Sequence, residues 1–254
     1  MRDKKCFRPY LLGLLMVISL KLYSDQAGSD ELIWILRPTA WWTSTLSGFP
    51  FTYQQGVGYI NHSLRFIIAP ACAGLRFLMI ACLMLIWSFV HRIDGRKKQL
   101  YWTLLSLPAS CAVTIFVNGI RITLSIILPP YLQNPEHLTG RITSGQLHTA
   151  IGTLVYFLSL LVLYQAGDKL SEKIGSKKPS NPQKERSPWT KLLPILWYLG
   201  PVLGLPILSR IYYKDYKNLT SYELPVLAVC GNLLIFLSLI PLGKKLILRH
   251  RTAK

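Results

Sequence analysis

The feature that most constrains this chain is a series of apolar blocks separated by short polar or basic segments. Each block is roughly 20 residues long, which is enough for one helix to cross the hydrocarbon core of a bilayer. The composition agrees, because 51% of the residues are hydrophobic and only 16% are charged, whereas about a quarter are charged in soluble domains. We therefore predict an all-α fold, a polytopic membrane helical bundle that forms a single membrane domain over residues 1–254.

The blocks predict about six transmembrane helices, at residues 8–24, 71–91, 100–118, 148–165, 192–209 and 224–242. Asn118-Gly119 is interpreted as a break, after which a shorter helix follows the outer interface. Aromatic residues between positions 24 and 70 suggest a segment at the water–lipid boundary. Residues 166–191 are rich in Lys, Ser, Pro and Glu, which predicts a flexible cytoplasmic linker before two further helices within 192–242.

The distribution of basic residues predicts the orientation of the bundle. The N-terminus, residues 92–98, residues 166–191 and the C-terminal tail hold 20 of the 29 Lys and Arg residues. Placing these four segments in the cytoplasm satisfies the positive-inside rule, and both termini are then cytoplasmic. Topology thus accounts for the net charge of +18, so the expected partner is the lipid bilayer and no nucleic acid is expected.

Three chemically capable side chains then fall on the outer, non-cytoplasmic face. Cys72 lies where the second span begins, Arg121 lies at the outer end of the third, and His148 opens the fourth. A helix N-terminus favours a thiolate at Cys72 and a neutral imidazole at His148. The imidazole can take and return a proton, and the guanidinium can stabilise an oxyanion. The set predicts thiol-dependent peptidase or transpeptidase chemistry.

Each of these residues also has an ordinary structural explanation. A membrane cysteine is usually a packing residue, an interfacial histidine usually forms a boundary hydrogen bond, and arginine can snorkel to the headgroups. Arg76, Asn118 and Arg141 are further candidates for binding substrate or supporting the site. The cysteines contain no CxxC motif and the histidines have no ligand-like spacing, so neither a metal site nor a cofactor is expected.

At these motifs the sequence resembles the exosortase/archaeosortase family of membrane proteases. The matching residues are Cys72 in Ala-Cys-Ala-Gly, Arg121 in Asn-Gly-Ile-Arg and His148 in His-Thr. They follow the family's chain order, at spacings of 49 and 27 residues. The resemblance covers about residues 60–165, which would form the catalytic core. Because the chain has fewer predicted spans than many members, it resembles a compact exosortase-like member.

The resemblance implies a thiol protease or transpeptidase that acts on exported proteins with a C-terminal sorting tail. Such a tail consists of a short motif, a membrane helix and a basic cluster. Cys72 would form a thioester with the substrate, Arg121 would steady the oxyanion, and His148 would shuttle protons. The implied location is a bacterial cytoplasmic (inner) membrane with the active site on the periplasmic side, and the extracellular polysaccharide biosynthesis machinery is a further candidate partner.

Two alternatives from other functional classes remain open. One is a non-enzymatic membrane component of envelope polysaccharide assembly or transport, which would bind lipid-linked glycan. The other is an acyltransferase that works through a cysteine thioester. Replacement of Cys72 by alanine would abolish a thiol protease and spare an assembly component, whereas an acyltransferase would carry lipid rather than peptide on this cysteine.

Overall fold

The computed structural model describes residues 7–132 and 144–175, together with two isolated positions at 197 and 200. In chain order the elements are α1 Phe7–Gln26, α2 Ile33–Ser47, β1 Thr52–Gln54, β2 Gly58–Asn61, β3 Phe66–Ile68, α3 Leu75–Phe89, α4 Arg96–Leu132 and α5 Ser144–Ile174. A 3-10 turn, Pro70–Cys72, precedes α3, and another, Val90–Arg92, follows it. We call the first of these the Cys72 turn. The fold is mostly helical, as predicted.

Four segments of the described chain are long and apolar enough to cross a membrane. They are Phe7–Gln26, Pro70–Arg92, Arg96–Pro129 and Leu147–Ile174. These segments coincide with the first four predicted spans. The predicted spans at 192–209 and 224–242 lie outside the described residues, so the count of six and the cytoplasmic termini stay predictions. The division into a catalytic core, a linker and two further helices also stays a prediction.

Helix α4 runs without interruption through Asn118-Gly119, so the predicted break at this point is wrong. At a rise of 1.5 Å per residue, its 37 residues extend roughly 55 Å, well beyond the ~30 Å hydrocarbon core. Gly119 instead allows close packing, because a Cβ at this position would overlap the Trp42 indole of α2. The Trp42 Nε1–H donates to the Phe116 carbonyl oxygen at 3.2 Å. The glycine therefore marks the contact between α2 and α4.

Helix α5 is longer than the predicted fourth span of 148–165. It begins at Ser144 and continues to Ile174, so the first residues of the predicted linker 166–191 are helical. The polar residues of this last part include Asp168, which pairs with a basic residue at the end of α3. Arg92 Nη1 and Asp168 Oδ1 are 2.5 Å apart, and this ion pair fixes the two helices at the end of the bundle that the charge pattern assigns to the cytoplasm.

Helix α3 forms the centre of the described bundle and contacts α1, α4 and α5. Apart from Arg76 in its first turn and Ser88 near its end, it is apolar on all sides, as expected for a helix surrounded by other helices. Its largest buried cluster includes Phe77, Met84 and Phe89, which pack against Val117 of α4 and Phe157 of α5. Lipid-exposed helices gain little from hydrophobic burial against one another, so such close side-chain packing is what holds a membrane bundle together.

A short antiparallel β-meander precedes α3, and the all-α prediction missed it. β1 pairs with β2 and β2 pairs with β3. Asp30 anchors the first hairpin, since its carboxylate accepts hydrogen bonds from the Tyr53 hydroxyl and, at 2.9 Å, from the Gly56 N–H. The hydrogen bond to Asp30 raises the pKa of Tyr53 to about 12, and the same bond is the main cause of a lowered pKa of Asp30. The strand β3 leads directly into the Cys72 turn.

Candidate active site at the Cys72 turn

Cys72 is half-buried at the end of the short turn between β3 and α3. The Cys72 N–H donates to the Ala69 carbonyl oxygen at 2.8 Å, and the Ala73 N–H donates to that of Pro70 at 3.0 Å. Proline suits the first position of the turn because its missing N–H would have no partner there. Since α3 begins only at Leu75, Cys72 precedes this helix. The helix dipole is therefore a weaker argument for a reactive thiol than the sequence suggested, because its effect fades beyond the first turn.

Gly74 seats the Cys72 turn against the neighbouring helices. Its φ of 73° lies in the left-handed region that glycine adopts without steric cost. A Cβ at this position would lie 3.0 Å from Thr114 Cγ2, 3.2 Å from Asn118 Cγ and 3.2 Å from the Tyr156 hydroxyl oxygen. On the other side of the turn, Ala73 is fully buried in the cluster formed by α2, the meander and α4. The turn thus rests directly on α4 and α5.

A chain of three hydrogen bonds joins the Cys72 turn to Arg121. Arg121 Nη1 donates to the Tyr156 hydroxyl oxygen at 3.2 Å. The Tyr156 hydroxyl donates to Asn118 Oδ1 at 2.8 Å, and Asn118 Nδ2 donates to the Cys72 carbonyl oxygen. All three donors point the same way along this hydrogen-bonded chain, so each bond polarises the next. The guanidinium and the cysteine backbone are therefore connected through two neutral side chains.

Arg121 lies against α5, where a glycine makes room for it. A Cβ at Gly152 would be only 2.9 Å from Arg121 Nε, so a larger residue would displace the guanidinium. The guanidinium carbon also lies 5.2 Å from the centroid of the Tyr156 ring. Within residues 7–132 and 144–175, no carboxylate forms a salt bridge with Arg121, and its buried Nε has no hydrogen-bond partner there. The positive charge is held in place by neutral groups and is not compensated by them.

His148 is half-buried in α5, the helix that contains Gly152 and Tyr156. It is one helical turn before Gly152 and two turns before Tyr156, and residues four apart share a helix face. The prediction that His148 opens its helix is wrong, because α5 already begins at Ser144. Among the described parts of the chain, no group of His, Cys, Asp and Glu side chains could hold a metal ion.

The three further candidates from the sequence have different positions. Asn118 is fully buried and joins the Cys72 turn to Tyr156. Arg76 is exposed in the first turn of α3 and takes no part in the hydrogen-bonded chain. Arg141 lies outside the described residues. The structure thus places Asn118 between the Cys72 turn and Tyr156, whereas its supporting role and the catalytic roles of Cys72, Arg121 and His148 stay predictions at this point.

Tyr156 is the site residue that the sequence did not single out. Its ring stacks on Phe77 of α3, with ring centroids 4.7 Å apart and an interplanar angle of 14°, and its hydroxyl contacts both Arg121 and Asn118. The sequence feature that could have identified Tyr156 is its position. It follows His148 by eight residues within one span, which is about two helical turns. A tyrosine in an apolar helix nevertheless resembles any other packing residue, because its partners come from other helices.

Comparison with known proteins gives one match. The family model described as "Transmembrane exosortase (Exosortase_EpsH)" matches residues 3–165, which is well over half of the chain. The matched region contains all four candidate spans found in the described residues apart from the last turns of α5. It also contains Cys72, Asn118, Arg121, His148 and Tyr156. Neither the comparison with curated proteins nor the comparison with solved structures finds a match.

Proposed function

Because this chain belongs to the transmembrane exosortase family, as its motifs predicted, we propose that it is an integral membrane cysteine protease or transpeptidase. Its proposed substrates are exported proteins with a C-terminal tail made of a short motif, a membrane helix and a basic cluster. The proposed location is the bacterial cytoplasmic membrane, with the reaction on the periplasmic side. The multi-pass membrane character follows from the family and from four apolar helices.

The observation that carries this proposal is the hydrogen-bonded chain from Arg121 to the Cys72 carbonyl. A cation near a membrane span costs free energy when no carboxylate pairs with it, and Arg121 has no such partner among the described residues. Charged residues retained at such a cost usually have a function. The oxyanion of a tetrahedral intermediate would supply a negative charge for Arg121 to stabilise, and this charge forms only during the reaction. Because the groups that hold Arg121 are neutral, no counter-charge among them weakens its attraction for the oxyanion.

The proposed reaction begins when the His148 imidazole takes the proton of the Cys72 thiol. The thiolate attacks the scissile carbonyl carbon, a carbon–sulfur bond forms, and Arg121 stabilises the resulting oxyanion. When the intermediate collapses, the carbon–nitrogen bond breaks and the His148 imidazolium returns its proton to the leaving amine. The thioester on Cys72 is then attacked by water, which gives a carboxylate, or by an amine acceptor, which gives a new amide. In either case His148 takes a proton from the nucleophile, the carbon–sulfur bond breaks, and the proton returns to the Cys72 thiolate.

The basic cluster and helix of the proposed substrate fit a membrane enzyme better than a soluble one. Basic residues hold the end of the tail on the cytoplasmic side, and the substrate helix then presents its motif at the opposite face. That is the face to which the charge pattern assigns the Cys72 turn. The extracellular polysaccharide biosynthesis machinery remains a candidate partner, because it would act in the same cell envelope as the exported proteins.

The test is processing of a co-expressed protein that ends in a motif, a helix and a basic cluster, taken from the same genome. The full-length enzyme is compared with Cys72→Ala, Cys72→Ser, Arg121→Gln and His148→Ala on a gel, with Arg37→Gln, which removes an exposed arginine of α2, as the matched control. We expect Cys72→Ala to abolish cleavage, the Arg121 and His148 variants to lose about 100-fold or more in rate, and Arg37→Gln to cleave normally.

Mass spectrometry of Cys72 distinguishes the other functional classes. Peptide bound to Cys72 supports the protease, and lipid bound to Cys72 identifies an acyltransferase. If Cys72→Ala processes every tailed protein as well as the wild type does, the proposed function is wrong. A role in envelope polysaccharide assembly would then be favoured, and loss of polysaccharide in a deletion strain, restored by Cys72→Ala, would establish it.

A further inference from the structure

The hydroxyl of Tyr156 has partners that packing does not require. Phenylalanine at this position would keep the ring stack on Phe77 and the contact between the ring and Arg121. A hydroxyl group placed inside a helical bundle costs free energy unless it is hydrogen-bonded. Here it makes two hydrogen bonds, accepting one from Arg121 and donating one to Asn118. The hydroxyl therefore bridges two groups whose direct contact, from Arg121 Nη1 to Asn118 Oδ1, is longer at 3.5 Å.

The chemistry of the partners explains why a tyrosine suits this position. A carboxylate would bind the guanidinium more strongly, but it would also neutralise the charge that an oxyanion needs. The tyrosine hydroxyl can accept from Arg121 Nη1 while its proton goes to Asn118 Oδ1, which leaves the Asn118 amide N–H for the Cys72 carbonyl. Without the hydroxyl, Arg121 Nη1 and Asn118 Oδ1 keep only their direct hydrogen bond at 3.5 Å, which is long and therefore weak.

We infer that Tyr156 is a positioning residue, whose hydroxyl sets the location of the Arg121 guanidinium relative to the Cys72 turn. The inference rests on the proposed function, in which Arg121 stabilises an oxyanion formed at Cys72. Tyr156 does not touch the reacting atoms in this scheme. It acts through Arg121 on one side and through Asn118 on the other, so its loss affects the rate of the chemical step and leaves substrate binding in place.

The first experiment is a double-mutant cycle on the full-length enzyme with a purified tailed substrate. Tyr156→Phe should lower kcat about 10-fold with KM unchanged, because only a transition-state interaction is perturbed. Tyr164→Phe is the matched control, since this buried tyrosine of α5 packs its ring on Phe89, with the centroids 5.1 Å apart. In an Arg121→Gln background, Tyr156→Phe should have less than about a twofold effect, since the residue through which it acts is gone.

Equal losses from Tyr156→Phe in the wild-type and Arg121→Gln backgrounds would overturn the inference, as would a normal kcat or a raised KM alone. A second readout does not depend on the enzymatic reaction. In a variant whose other cysteines are replaced by alanine, the rate at which a maleimide alkylates Cys72 is measured against pH. Tyr156→Phe should change this rate about threefold or more relative to Tyr164→Phe, because the guanidinium that the hydroxyl holds moves relative to the Cys72 turn.

The two readouts separate failure of the inference from failure of the proposed function. If Cys72→Ala still processes the substrate, the proposed function fails, and the alkylation of Cys72 still decides whether Tyr156 positions Arg121 beside the turn. If processing requires Cys72 but the alkylation and kcat of Tyr156→Phe match those of Tyr164→Phe, the proposed function stands and the inference on Tyr156 is refuted.

Discussion

Replacing Gly152 by alanine tests whether the position of the Arg121 guanidinium controls the rate of cleavage. The new Cβ would lie 2.9 Å from Arg121 Nε and 3.6 Å from Cζ, whereas carbon and nitrogen atoms in ordinary contact are roughly 3.5 Å apart. The guanidinium must therefore move by about 0.5 Å. A misplacement of about 1 Å can cost 100-fold in rate, so we expect about a 10-fold loss of activity from this single methyl group.

The stability of the Gly152→Ala variant should change little. Alanine favours a helix over glycine by about 1 kcal/mol, and this gain offsets the displacement of a flexible side chain. The rate is measured in single-turnover cleavage of the tailed substrate in detergent, per folded molecule, and the free energy of unfolding is measured by titration with a denaturing detergent. The two measurements distinguish displacement of the Arg121 guanidinium from damage to the fold.

Gly167→Ala is the matched control, because it makes the same change in the same helix at the other end. Its Cβ would lie 2.6 Å from Phe89 Cε2 and 3.1 Å from Leu85 Cδ2, which are core atoms of α3. We expect an unfolding free energy lower by about 1–3 kcal/mol and a rate per folded molecule within about twofold of the wild type. A normal rate for Gly152→Ala, or equal rate losses in both variants, would refute the reasoning.

Three further predictions concern the scaffold. Gly119→Ala should lower the unfolding free energy by about 1–3 kcal/mol, and adding Trp42→Ala should recover part of the loss; a cost that is the same in both backgrounds would contradict the close contact. Asp168→Asn should destabilise by about 1–3 kcal/mol, measured by the same titration, and an unchanged value would show that the ion pair is not coupled to folding. The Tyr53 hydroxyl, with a pKa of about 12, should contribute stability below pH ~10 that is lost as the pH rises towards ~12. Asp30→Asn should return that pKa towards 10.0 in carbon-13 NMR of labelled tyrosine, and a pKa that stays near 12 would show that Asp30 is not the cause.

The spans of the described region were predictable because hydropathy and helix length are local properties. In lipid, the backbone N–H and C=O groups of a single spanning segment must pair with one another, so a long apolar run has few alternatives to a helix. The same physics explains the error at Asn118-Gly119. This dipeptide is a turn signal in water, whereas within an apolar helix it is kept helical and the missing side chain is used for the contact with Trp42.

The β-meander was missed for a different reason. Its strands contain only three or four residues each, and the buried one, β2, lacks the alternation of apolar and polar residues that indicates a half-exposed strand. The hairpin is specified by Asp30, which comes from the connection between α1 and α2 and contacts Tyr53 and Gly56. Contacts between residues more than 20 positions apart leave no periodic pattern in the sequence.

The site was predicted in outline because the positive-inside rule places ends of different spans on one face. Cys72, Arg121 and His148 could be grouped in this way without any knowledge of their contacts. The positive-inside rule could not identify the connecting residues. The positions of Asn118 and Tyr156 in the site depend on hydrogen bonds between α4, α5 and the turn. Which groups an arginine contacts depends on helix rotation, and apolar faces in lipid do not encode rotation clearly.

The hydrogen-bonded chain joins the Cys72 turn to two helices, α4 and α5, and this has a consequence for biosynthesis. Ribosomes deliver the chain from its N-terminus, so Cys72 and Arg121 enter the membrane before His148 and Tyr156 do. A nascent chain that ends within α4 carries the thiol but lacks the helix that completes its surroundings. The proposed protease is therefore expected to stay inactive throughout the insertion of its first three described spans, which would protect other newly inserted proteins from premature cleavage.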